Sequence, residues 1–226
     1  PLEKNDQTSG GVIVDFAIDA GATQANVGGQ IELMSGALNE FQEGPTVGSA
    51  FLVATRPPGL HYDYEVDSYL LVGFYNLQHS LSDSLRVLHS LRLEYLDYDY
   101  ANKHIVGNTK DDGTPCGFGG CLYSRPASRT DSFTNVGARL GVEKDLSAGL
   151  LYASVSSGFR PPQVTELYRL RGGQTIADLD SERLTAFEAG FKNEAVAVAA
   201  FIERTRDFLF RDAEAFNVSD GRTRPA

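Results

Sequence analysis

The sequence predicts an all-β fold: an antiparallel up-and-down transmembrane β-barrel segment of about eight strands, with short turns at one end and long loops at the other. Three observations predict it. Apolar and polar residues alternate with a period of two along several runs, as in strands with one apolar and one wet face. The connections alternate in length: 19–23, 80–84, 145–148 and 193–195 are tight, while 36–61, 101–132 and 160–182 are long. In an up-and-down sheet alternate connections share an end, so the tight turns lie together and the long loops lie together. Outer-membrane barrels show that asymmetry, with short periplasmic turns and long extracellular loops. Aromatics also gather near strand ends. Tyr62, Tyr64, Tyr95, Tyr98, Tyr100, Phe133, Phe159 and Phe208 lie toward the long loops, and Phe74, Tyr75, Tyr152 and Phe191 toward the turns. Two such bands suit two membrane interfaces.

Taken in order, residues 1–10 are polar and read as a loop. Val12, Val14, Phe16 and Ile18 then alternate with Ile13, Asp15, Ala17 and Asp19, a strand with one apolar face. After a turn at 19–23, Val27, Ile31 and Leu33 oppose Asn26, Gln30 and Glu32. The connection 36–61 carries Gly44-Pro45 and Pro57-Pro58-Gly59. A strand over 62–78 has apolar residues on both faces, so its outward face stays open. Leu85, Val87, Leu91, Leu93 and Tyr95 alternate with Arg86, Ser90, Arg92 and Glu94, with a phase slip expected near Leu96. Past the connection 101–132, Val136, Ala138, Leu140 and Val142 oppose Asn135, Gly137, Arg139, Gly141 and Glu143, the clearest two-faced strand in the chain. A strand over 150–159 ends at Arg160-Pro161-Pro162, because two prolines have no N–H for a ladder. Strands over 184–192 and 196–208 complete the set. Several runs exceed the roughly 9–11 residues that cross a bilayer and are expected to project beyond it.

Composition bounds the function. The 226 residues are 42% hydrophobic and 22% charged, with 23 Gly, 10 Tyr and 13 Phe, which suits a β-rich chain with many turns. A net charge of −10 argues against a nucleic-acid partner, which needs a basic face. No run of 18 apolar residues forms a membrane helix, and a β-barrel needs none. The polar, Met-less opening PLEKNDQTSG carries no secretory leader, so the chain reads as an internal fragment or a processed piece.

The stretch from Ser147 to Lys192 resembles the late barrel region of TonB-dependent outer-membrane receptors. The resemblance rests on Gly158, Phe159, Arg160 and Pro161, then Glu166, Leu167 and Tyr168, then Leu179 and Glu182, then Glu188, Gly190 and Lys192, in that order. It implies that residues 1–226 are a partial barrel domain, lacking the plug and the closing strand, of a barrel with about 22 strands. It implies a place in the bacterial outer membrane, with membrane lipid as one partner and the TonB complex, acting through the plug, as another. It implies uptake of a scarce nutrient, most often a ferric siderophore. No cofactor is implied. A surface-exposed β-sheet adhesion or carbohydrate-binding module and an unplugged porin-like barrel remain as alternatives.

Few residues point to chemistry. Catalysis finds no Gly-x-Ser-x-Gly elbow, and the carboxylates show no readable pairing, so no enzyme is expected. Cys116 and Cys121, spaced C-x4-C in a proposed outer loop, suit a disulfide in an oxidising compartment. A metal site would need two further ligands, with His104 alone nearby, and no metal is assigned. His61, His79, His89 and His104 show no ligand spacing; His89 lies on an apolar face and reads as packed or interfacial. Tyr98, Tyr100, His104 and Arg160 are the ligand-binding candidates. Tyr98 and Tyr100, in Asp-Tyr-Asp-Tyr, read equally as girdle residues. Arg160 and Glu166 read as loop-ordering groups beside a cavity or as a plain corner salt bridge. Asn217-Val218-Ser219 matches a glycosylation triplet, discounted in a bacterial host.

Overall fold

The computed structural model describes residues 1–209, so Asn217-Val218-Ser219 lies outside the described residues. The elements are β1 (Leu2–Ala20), β2 (Thr23–Gln42), α1 (Ala50–Thr55), β3 (Gly59–Ser82), β4 (Leu85–Asn102), β5 (Tyr123–Ser124), β6 (Arg129–Leu146), β7 (Gly149–Arg160), α2 (Val164–Tyr168), β8 (Leu170–Arg171), β9 (Glu182–Lys192) and β10 (Ala197–Arg206). Eight strands form one antiparallel sheet in the order β1-β2-β3-β4-β6-β7-β9-β10, each paired with its chain neighbour. The up-and-down topology is thus as the spacing of turns predicts. The sheet is an open arc, with β1 and β10 at its edges. β5 and β8 form a separate two-stranded ribbon within the loops.

The strands are longer than their sequence patterns suggest. Residues 1–10 are not a loop: β1 pairs with β2 from Leu2↔Phe41 to Ala20↔Thr23 without interruption. Their polar side chains hide no periodicity error. That stretch of β1 is exposed on both faces, so no alternation is needed; the backbone ladder holds it, with an ion pair from Glu3 to Arg169. β2 likewise runs on to Gln42, which shortens the connection predicted over 36–61. No phase slip occurs at Leu96, which sits opposite both Leu70 and Phe133 in unbroken register. The irregularities fall instead at Glu40/Phe41 and Ser80/Ser82.

Register shows which face is which. One cross-strand row reads Ile18–Ala25–Leu77–His89–Leu140–Val155–Phe187–Ile202 across all eight strands. This row and its neighbours, with Phe16, Val27, Leu71, Leu93, Val136 and Val198, expose their apolar side chains on the convex face. The adjacent row, on the concave face, reads Ala17–Asn26–Asn76–Ser90–Arg139–Ser156–Ala186–Glu203. Apolar outside and polar inside is the reverse of a soluble sandwich and is what lipid around a watery lumen selects. The open question over 62–78 is answered: Tyr69, Leu71, Tyr75 and Leu77 face out, and Tyr64, Val66, Leu70, Val72 and Phe74 face in. His89 is the one imidazole in the outward row, with its Nδ1 3.3 Å from the Tyr75 hydroxyl.

The aromatic bands need correction. Tyr62, Tyr64, Tyr98, Tyr100 and Phe133 do not form a girdle; they belong to the concave face and pack into a core beneath the loops. Two turn-side aromatics also point inward, where they cover glycines. A Cβ on Gly190 would meet Tyr152 Cζ at 2.7 Å, and one on Gly28 would meet Phe74 Cζ at 2.5 Å. The end of the Tyr152 ring sits against Gly190, and its hydroxyl donates to Glu188 at 2.7 Å. That accounts for Gly190 and Glu188 in the resemblance. Gly190→Val is expected to evict the ring and break this bond. It should cost about 1–3 kcal/mol, read from the urea midpoint of the full-length protein refolded in vesicles.

Candidate functional site

Three long connections close over the outer end of the arc: 43–58, 103–128 and 161–181. Each is too polar and too rich in Gly and Pro to build its own core. They obtain one by packing on the concave face of the projecting strands. Leu38, Tyr62, Tyr64, Val66, Leu96, Tyr98 and Tyr100 supply the floor, and Tyr123, Leu167, Tyr168 and the two cysteines the roof. Tyr168 stacks on Tyr100 with centroids 4.2 Å apart, and its hydroxyl donates to Asp131 at 2.8 Å. Burial, and then that carboxylate, push the Tyr168 hydroxyl well above the usual phenol range.

Backbone bonds tie the loops to one another. Gly117 N–H donates to Ala54 C=O and Leu122 N–H to Thr55 C=O, joining the first loop to the second. The β5–β8 ribbon, with Tyr123 opposite Arg171, joins the second to the third. Cys116 and Cys121 are disulfide-bonded inside the second loop. At the junction sits Arg125, 1% exposed. Its guanidinium donates to the carbonyls of His61 at 3.2 Å and Thr109 at 2.8 Å, and also to that of Ile105. A buried cation satisfied by carbonyl dipoles fixes the path of both backbones at once.

A second polar knot holds the third loop to the strands. His61 is 1% exposed and stacks on Tyr123, with its Nε2 2.8 Å from the Pro57 carbonyl and its Nδ1 3.3 Å from Glu40. Arg169 bridges Glu40 and Glu3. Burial raises the Glu40 pKa, but the His61 bond and the Arg169 charge outweigh it and hold the carboxyl below its usual 4.5. A depressed carboxylate stabilises above its unfolded pKa and loses that contribution as pH falls through the lowered value. The knot is therefore intact at neutral pH and expected to loosen below about pH 4.5. Hydrogen exchange over 161–172 between pH 7 and pH 3 checks this, and Glu40→Gln should remove the dependence.

Arg160 organises the corner where β7 leaves the sheet. It donates to Glu182 at 2.8 and 2.9 Å and to Glu166 at 3.1 and 3.1 Å. Glu166 also accepts from the Gln163 N–H at 2.7 Å, capping α2. One guanidinium thus fastens the start of β9, the helix cap and the Pro-Pro exit together, which is the structural role of Arg160, Pro161 and Glu166. Leu167 and Tyr168 are the buried face of that helix. Gly158 has open space around its Cα, so no close contact accounts for it.

Of the ligand-binding candidates, Tyr98 and Tyr100 are 7% and 1% exposed and covered by the loops. His104 pairs with Asp111 at 3.0 Å on the loop side. Arg160 borders an open space. That space is a concave trough of about 680 Å³ bounded by Phe74, Arg92, Glu94, Ser156, Phe159 and Arg160. It runs into a second of about 380 Å³ bounded by Gln24, Asn26, Gln78 and Leu88. Asn76, Ser90 and Arg139 line both. Among the described residues Arg139 has no carboxylate within ion-pair distance, whereas Arg92 is held by Glu94 at 2.7 Å. Amide, hydroxyl and free guanidinium groups suit an anionic or oxygen-rich occupant. Arg139 was visible in the sequence as the polar face of its strand; Arg125, in a loop beside Pro126, carried no signal. Among the described residues no three His, Cys, Asp or Glu side chains gather into a metal-binding group.

Solved structures share the architecture at low identity. The ferric yersiniabactin uptake receptor FyuA from Yersinia pestis matches with a TM-score of 0.57 and 15% identity over 92% of this chain and 29% of that one. The copper transporter OprC matches with a TM-score of 0.62 and 14% identity over 91% of this chain and 31% of that one. The siderophore receptor PiuA from Acinetobacter baumannii matches with a TM-score of 0.52 and 15% identity over 88% of this chain and 31% of that one. The chain therefore spans about three tenths of the length of these proteins. No curated protein is similar to it in sequence. The family model described as TonB dependent receptor-like, beta-barrel, matches residues 3–224. With its apolar convex face, polar concave face and one-sided loops, the chain belongs to the TonB-dependent receptor β-barrel family of the bacterial outer membrane.

Proposed function

We propose that this chain is the wall and part of the outer mouth of a TonB-energised receptor for a scarce nutrient carried as an anionic metal chelate, with a ferric siderophore the leading case. The observation that carries the reading is Arg139, a cation without a carboxylate partner among the described residues, at the centre of a polar concave trough beneath ordered loops. Among the similar solved structures FyuA is named as a ferric yersiniabactin uptake receptor, PiuA as a siderophore receptor and OprC as a copper transporter. The trough's lining is richer in amide, hydroxyl and guanidinium groups than in metal-ligating side chains, which favours a preformed chelate over a bare ion. The acidic loop residues Asp111, Asp112, Asp178 and Asp180 lie outside the trough lining and do not oppose such a ligand. Energy and gating come from the TonB complex acting on a plug, and the role proposed for this chain is binding and passage, not catalysis.

The test is uptake by whole cells. A strain deleted for the gene and complemented with the wild type should accumulate radioactive iron from one or more ferric chelates in a TonB-dependent way. Arg139→Gln should weaken that uptake about ten-fold with unchanged surface expression, the loss of one charge-assisted contact. Uptake of free copper alone, or none of either, would sink the chelate reading.

A further inference from the structure

We infer that the convex face carries a binding site for the phosphate groups of an outer-leaflet lipid, built from Arg183, Arg204 and Arg206. The inference follows from register. Arg183 lies directly opposite Arg206 on neighbouring strands, and Arg204 lies two residues before Arg206 on the same face. Paired Cα atoms in an antiparallel ladder are about 4.5–5.5 Å apart. Like charges at that distance repel and destabilise the pair. An anion joining the cluster relieves that repulsion.

Among the described residues none of the three arginines has a carboxylate within ion-pair distance. Four other cations of the outer end do have carboxylate partners: Lys103 holds Glu65, Arg129 holds Asp131, Arg160 holds Glu166 and Glu182, and Arg169 holds Glu3 and Glu40. Glu182, next to Arg183, points to the other face and is occupied by Arg160. Glu203 lies opposite Ala186 on the concave face. Asp207 follows Arg206 in a left-handed bend, with φ 54°, where the strand alternation has ended.

Position decides the class of ligand. Directly below the arginines on the same face come Phe187 opposite Ile202, then Ala189 opposite Ala200, then Phe191 opposite Val198. Phe187, Ile202 and Val198 are 50%, 70% and 64% exposed, as lipid-facing residues must be. The long-loop end of the strands is the outer end, so the cluster stands where the apolar band meets the outer headgroups. Thr185, opposite Arg204, adds a hydroxyl donor at the same level. Acyl chains against the apolar rows and phosphates among the guanidiniums match one amphipathic molecule. Arginine suits phosphate because its planar fork donates two parallel N–H bonds. A phosphorylated glycolipid of the outer leaflet has this form.

The experiment uses the full-length receptor extracted from outer membranes and exchanged into detergent. Native mass spectrometry would measure retention of added bisphosphorylated lipid A and of the same lipid after enzymatic dephosphorylation. The wild type should retain the phosphorylated lipid and lose the dephosphorylated one. Arg183→Gln, Arg204→Gln and Arg206→Gln together should lower retention on the order of 100-fold, since each surface cation contributes roughly a five-fold gain. Equal retention of the two lipids by the wild type overturns the site without reference to any variant. Unchanged retention in the triple variant overturns it as well, provided heat-modifiable migration shows the variant folded. If millimolar inorganic phosphate displaces the lipid completely, the cluster is a free-phosphate site and the lipid assignment fails.

Discussion

Arg125→Leu is expected to unfasten the outer loops while leaving the barrel wall folded. The guanidinium is buried and donates to carbonyls on two separate segments, those of Leu60 and His61 at the start of β3 and those of Ile105, Thr109 and Lys110 in the second loop. Leucine fills much of the volume and satisfies none of these acceptors. Each buried carbonyl left without a donor costs about 1–3 kcal/mol, and relaxation lets water reach some of them. A net loss of about 4 kcal/mol in the local stability of the loops follows, roughly a thousand-fold in their opening equilibrium. Hydrogen exchange of the full-length receptor should show protection of 103–128 falling by that factor. Protection of 43–58 should follow, because Ala54 and Thr55 are held by Gly117 and Leu122 of the same loop. The sheet rows below should keep their protection. If protection over 103–128 is unchanged, the three loops are not one cooperative unit.

Leu140→Arg should cost about 2–4 kcal/mol in folding into a bilayer, the penalty of an arginine facing lipid near the midplane. Leu140 is 54% exposed and sits in the row that runs unbroken through Leu77, Val155 and Phe187. Its chain neighbour Arg139 faces the lumen, so Arg139→Leu should change folding by less than about 1 kcal/mol while removing the lumen charge. Urea titration of the full-length protein in lipid vesicles measures both. The pair is a test of register, since a one-residue slip exchanges the faces. Comparable costs for the two variants would reject the outward assignment of this row.

The membrane-crossing parts of the strands were legible because lipid imposes a strict period of two. Val136, Ala138, Leu140 and Val142 against Asn135, Arg139 and Glu143 allow only one face to be outward. The projecting parts were not legible. Residues 2–10 are exposed on both faces, and over 34–42 the inward face is covered by loops only at Leu38 and Glu40, so the pattern of a strand disappears although its ladder persists. The concave aromatics misled for a related reason. A tyrosine at a strand end suits a membrane interface as well as a loop floor, and alternation says only that Tyr98 and Tyr100 share a face, not that Tyr168 will cover them.

By itself the sequence determined the class of fold, the number and direction of the strands, the asymmetry of their connections and the outward face of β6. All of these follow from local periodicity and from where turn residues fall. Only the tertiary structure decided how the loops close, that Arg125 and Arg169 are their fasteners, which tyrosines lie beneath them, and that Arg139 stands in the trough with no carboxylate partner among the described residues. It alone set Arg183 opposite Arg206. These facts depend on contacts between segments far apart in the chain, and the residues that make them carry no periodic signature, because each answers to one partner and not to a repeating environment.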